Sequence, residues 1–173
     1  ECRRVLFRSA TGAKAPTLYA EFVNKEGLFR AVLDRYISRF AAKHEALLFD
    51  DQKTVDQALR DYFTAVATCF TSKDTPAGCF MINTSAALAA SSTDIANTIK
   101  SRHAVQEQTL TQFLQQRQQR GELPAQGNVL QLAQFLNCVL QGMSISAREG
   151  ADFATLKQIS DTTLRLWPQI LQP

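Results

Sequence analysis

The stretch Thr11–Leu28, TGAKAPTLYAEFVNKEGL, decides how this chain is read. Gly12 suits a tight turn, and Pro16 can occupy the first turn of a short helix, where its missing N–H costs nothing. Thr17 brings a hydroxyl to the N-terminus of that helix. Leu18 and Phe22 lie four apart and face inward, whereas Tyr19 lies off their stripe with its phenol directed outward. Only Val23 and Asn24 separate this helix from the next, which Asn24 caps and Lys25 opens. A turn, a short helix and a cation at the following helix start together form a surface able to read phosphates.

Helical spacing continues outward from this stretch. Leu28, Phe29, Val32, Leu33, Tyr36, Ile37 and Phe40 recur at intervals of three and four, which predicts one amphipathic helix running to about Leu48. Asp50 to Lys53 make a polar turn, and Thr54 can cap a helix whose buried face is Val55, Leu59, Tyr62, Phe63, Val66 and Phe70. Pro76 and Gly78 break the chain before a short apolar helix within residues 77–90. Ser91, Ser92 and Asp94 open a longer helix that stops near Gly121, with Pro124 beyond it. Two more helices are expected, over about 128–146 and 152–166, both apolar on more than one side. A helix of that kind needs cover on two sides, from a central core position or from a second copy of the chain.

Composition agrees with an all-α fold. The chain has 173 residues, 45% hydrophobic and 20% charged, with 7 Gly and 5 Pro placed between long segments. It is long enough to bury a real core. No apolar run reaches the roughly 18–20 residues of a membrane span. The net charge of +3 alone does not announce a nucleic-acid binder.

Glu1–Ser9, ECRRVLFRS, reads as a translated sequencing adapter joined to a broken end, so native sequence is expected from about Ala10. Arg3, Arg4 and Arg8 against Glu1 place most of the net charge in that segment. Without Cys2, the remaining Cys69, Cys79 and Cys138 form no disulfide framework, and a reducing cytoplasm is the expected compartment. Cys69 and Cys138 read as core fillers on apolar faces.

The pattern Gly-x-x-x-x-Thr-Leu-Tyr-x-x-Phe-x-x-Lys-x-x-Leu, Gly12 to Leu28, resembles the helix-turn-helix signature of the TetR/AcrR family of transcriptional regulators. The resemblance implies that Lys14, Ala15 and Pro16 approach base edges in a major groove. It also implies that Thr17, Tyr19 and Lys25 contact phosphates, and that Leu18, Phe22 and Leu28 are core. Ala15 and Pro16 offer no hydrogen bonds, so readout there is by methyl or shape contact. The family carries two helices before this point, and this chain has neither the first nor most of the second. Because the preceding helix braces the recognition helix, the DNA-binding expectation attaches to the parent protein.

The same resemblance divides the chain into three parts. Residues 1–9 are foreign, 10–45 are the remnant of a helix-turn-helix domain with a connecting helix, and 46–173 are a ligand-binding and dimerisation domain. It implies double-stranded DNA, a small-molecule effector and a homodimer through the last two long helices as partners, with no membrane. Phe40, Phe63, Phe70, Phe80, Met81, His103 and Phe113 are the candidate pocket lining. Cys79, in Pro-x-Gly-Cys at a helix start, is a candidate sensor of oxidants or electrophiles, because a helix N-terminus favours thiolate. No nucleophile, phosphate-loop or dinucleotide motif is present, and His44 and His103 have no metal-ligand spacing. No catalytic residue, metal or cofactor is therefore expected. The function expected is a ligand-responsive repressor released from a palindromic operator. The alternative is a helical small-molecule-binding or interaction module that does not bind DNA in this form.

Overall fold

The computed structural model describes residue 12, residues 15–88 and residues 93–170, and the expectations for residues 1–9 and for Lys14 fall outside them. These residues form helices α1 (Ala15–Phe22), α2 (Lys25–Tyr36), a π-helical segment (Ile37–Ala41), α3 (Ala42–Leu48), α4 (Val55–Phe70), α5 (Phe80–Leu88), α6 (Thr93–Gln119), α7 (Val129–Arg148) and α8 (Phe153–Ile170). No strand occurs among the described residues, and the all-α expectation holds. No described helix is long and apolar enough to cross a membrane. The chain forms two compact units, one ending at Arg39 and the other starting at Phe40.

In the first unit, α1 packs on α2. Asn24 caps α2 as its spacing predicts, with its side-chain oxygen accepting from the Gly27 N–H at 2.8 Å. The single helix expected to reach Leu48 is instead interrupted by the π segment. Ser38 Oγ donates to the Arg35 carbonyl at 3.0 Å, one turn back. A hydroxyl that competes for a backbone acceptor loosens the helical ladder at that point.

In the second unit, α4 and α7 occupy the middle. α4 packs against α3, α7 and α8, and α7 packs against α4, α5, α6 and α8. Thr54 opens α4 with a reciprocal capping box: Gln57 N–H donates to Thr54 Oγ1, and Thr54 N–H donates to Gln57 Oε1. Leu59, Phe63, Phe113, Leu114, Leu136, Leu140, Met143 and Leu156 are fully enclosed and form the centre of the core. Trp167 closes one end, its indole N–H donating to Asp56 at 2.9 Å and tying α8 to the start of α4. Gly121, at φ +77°, stops α6 through paired bonds from Gly121 N–H to Gln118 O and from Glu122 N–H to Arg117 O. This is the left-handed closure that the Gly-Pro spacing predicts.

Candidate functional site

Gly12 sits in the left-handed region ahead of α1, with φ +67°. Pro16 and Thr17 are exposed in the first turn of α1. Ala15 is the first residue of that helix, Tyr19 lies in its middle and Lys25 opens α2. The side chains of Ala15, Leu18, Tyr19 and Lys25 lie outside the described set. Between the two helices, Val23 takes a φ of +65° while the Asn24 N–H reaches back to Phe22 O at 2.7 Å. A one-residue reversal of this kind is what lets α2 begin two residues after α1 ends.

The second unit holds a mixed polar group inside its helices. Tyr62 on α4 is buried and bonds to Gln106 on α6. Burial pushes its phenol up to about 12 against that hydrogen bond, with Glu45 on α3 and Cys79 adding to the rise. Burial, seconded by Cys79, also raises the Cys69 thiol. Burial lowers the His44 and His103 imidazoles, which are therefore neutral at pH 7, and it raises the Glu45 carboxyl. His103 Nδ1 and Asn83 Oδ1 are enclosed without a hydrogen-bond partner.

Cys79 sits immediately before α5 and is only 6% exposed. Its backbone N–H donates to Ser144 Oγ on α7 at 2.7 Å, and its carbonyl accepts from Asn83 N–H at 2.9 Å. Gly78, at φ +82°, makes this approach possible. A Cβ there would lie 2.5 Å from the Ser144 carbonyl oxygen. The Pro-x-Gly-Cys sequence thus positions a backbone turn against α7 and encloses the thiol.

The expected pocket residues divide by position. Phe63, Phe70, Met81 and Phe113 are buried, whereas Phe40, Phe80 and His103 are partly exposed. Phe113 lies 5.3 Å below the Arg117 guanidinium and edge-on to Phe49. An open groove of about 650 Å³ elsewhere is lined by Arg60, Lys157, Gln158, Asp161, Thr162 and Arg165, and by none of the expected residues. Cys138 corrects the sequence reading. It is exposed, because it falls on the outward side of α7, opposite the buried Leu136 and Leu140.

Residues 55–160 match the family model described as the tetracyclin repressor-like C-terminal domain. The chain is 71% identical over 163 residues to the HTH-type transcriptional repressor ComR of Escherichia coli K12, spanning 94% of this chain and 78% of ComR. The chain belongs to the TetR family of transcriptional regulators. A second relative, the HTH-type transcriptional repressor BdcR of the same organism, is 29% identical over 80% of this chain and 65% of its own length. Among solved structures, a cysteine mutant of the TetR family regulator CifR, complexed with 26-base-pair operator DNA, superposes with a TM-score of 0.83. The match has 25% identity and spans 93% of this chain and 84% of that one. A TetR regulator from Rhodococcus sp. RHA1 matches with a TM-score of 0.66 at 26% identity, over 94% of this chain and 86% of that one.

For a TetR-family chain, the sequence reading missed the Tyr62–Gln106 pair with Glu45. Spacing alone places Tyr62 in the core. The available signal was that Gln106 follows His103 by three residues, which puts two polar groups on one face of α6.

Proposed function

We propose that the parent protein is a DNA-binding repressor and that residues 12–28 form the turn, recognition helix and following helix start of its helix-turn-helix. One observation carries this reading: the fold is shared with a regulator solved on its operator, over nearly the whole chain. The 71% identity to a named repressor supports the sign of regulation. In this reading Lys14, Ala15 and Pro16 face base edges, and Thr17, Tyr19 and Lys25 hold phosphates. The exposure of Pro16 and Thr17 agrees with that role.

The second unit is the effector-binding and dimerisation part. Its effector lies among the aromatic residues Phe63, Phe70 and Phe80 with Met81 and His103, and the Tyr62–Gln106 pair and the unpartnered His103 Nδ1 supply polar recognition. Two copies pair through the outward sides of α7 and α8, where Leu130, Ile145, Leu166 and Ile170 are exposed. The dimer presents two recognition helices about one DNA turn apart, ~34 Å, to a palindromic operator. Effector binding favours a different separation, and DNA affinity falls by the effector's differential affinity for the two states. The protein works in the cytoplasm and catalyses no reaction.

Fluorescence anisotropy tests this with the protein extended through the residues that precede Thr11 in its gene. The probes are a duplex from the adjacent intergenic DNA and a random duplex, at two salt concentrations. The expected result is preference for the intergenic duplex, with Lys25→Ala lowering the salt slope by about 1 and Tyr19→Ala weakening binding. Equal affinity for both duplexes contradicts the reading and favours a helical binding module without DNA recognition.

A further inference from the structure

Arg117, near the end of α6, is 2% exposed although charged. Its Nη1 donates to the Lys53 carbonyl at 2.7 Å and to Glu122 Oε1 at 2.9 Å. Its Nη2 donates to the carbonyls of Leu48 at 3.3 Å and Asp50 at 2.9 Å. Leu48 is the last residue of α3, whose final carbonyls have no partner within the helix. The other Glu122 oxygen accepts from the Val55 N–H at 2.6 Å, the first residue of α4 and one of that helix's orphan donors. The turn at Gly121 brings Glu122 back beside Arg117. Phe113, one turn earlier on α6, supports the guanidinium from below. Outside this network, Arg120 adds a 2.6 Å pair to Asp51 in the same connection.

We propose that Arg117 and Glu122 form a latch that fixes the end of α3 and the start of α4 to the end of α6, so that a displacement of α6 is handed to α3. This rests on the regulator reading above. Arg117 is enclosed while Glu122 reaches solvent, and an ion pair so placed adds little stability of its own. What a planar fork adds is direction: it fixes several carbonyls from one rigid group, which Lys cannot do. The latch sits between two functional stretches. His103 and Gln106 are on the same helix, His103 about 21 Å along it from Arg117. In the other direction, α3 follows α2 and the π segment with no loop between them.

Hydrogen exchange on this chain tests the latch, using Arg117→Lys, which keeps the charge, and Glu122→Gln, which keeps an acceptor for Val55. Arg117→Lys is expected to speed exchange in residues 42–53 by about tenfold, with α7 and α8 changed by less than about twofold. Glu122→Gln is expected to do the same more weakly. In the N-terminally extended protein, Arg117→Lys is expected to weaken binding to the intergenic duplex by about tenfold. Unchanged exchange in 42–53 overturns the latch, as does a uniform rise that includes α7 and α8. Faster exchange with operator affinity kept overturns the transmission. If the wild-type protein itself shows no preference for that duplex, the regulator reading falls, and exchange alone decides whether the latch holds the helix ends.

Discussion

Val23 is a β-branched residue at a φ of +65° and is 82% exposed. The left-handed region costs such a residue about 1–2 kcal/mol, and no packing offsets it at that exposure. Val23→Asn is therefore expected to stabilise the turn between α1 and α2 by about 1 kcal/mol, because Asn tolerates this conformation. A thermal or urea melt that does not rise contradicts the assignment. The two histidines of the chain make a pH prediction. Burial lowers both His44 and His103 from 6.5, so the unfolded chain takes up protons first as pH falls. Stability is complete above 6.5 and declines toward the lowered folded values. Glu45 works in the opposite sense at lower pH, since burial raises its carboxyl from 4.5. Urea midpoints are expected to fall between about pH 7.5 and pH 6 in the natural chain, and to flatten when His44→Gln and His103→Gln are combined. A slope that survives both substitutions locates the proton uptake elsewhere.

At the scale of elements, the helix ends were the most legible feature. Asn24, Thr54 and Gly121 act where their residue types and spacings put them, because caps are local chemistry. Thr54→Ala is expected to cost about 1 kcal/mol, since it removes half of the capping box. Gly78→Ala is expected to cost at least about 2 kcal/mol, from the positive φ together with the approach of the Ser144 carbonyl. Circular dichroism melts check both. The less legible features depend on what lies across the fold. The π segment arises where Ser38 competes for a backbone carbonyl, and apolar spacing does not register that competition. Cys138 reads as core because α7 is apolar on two sides, and only the neighbouring helices decide which side is enclosed. The buried Arg117 gives no sign in its local sequence, because three of its four hydrogen-bond acceptors lie 64 to 69 residues away and the fourth, Glu122, lies beyond a turn. Within the candidate site, the Gly12–Leu28 motif was legible because its seven typed positions lie close together in sequence, across α1 and the start of α2. The Tyr62–Gln106 pair was not, because it joins separate helices.

At the scale of the whole molecule, the exposed apolar side chains of α7 and α8 make the second copy a testable partner. Ile145→Glu with Leu166→Glu places like charges on that surface without touching the enclosed core. The double variant is expected to sediment as a monomer with unchanged helix content, and a dimer that persists places the interface elsewhere. The most direct test of the central claim is a nuclease footprint of the extended protein on the intergenic DNA beside its gene. The account predicts one protected palindromic stretch, lost in Lys25→Ala at the same protein concentration. Absence of any protected stretch, at concentrations where the wild-type protein is folded and dimeric, would contradict it.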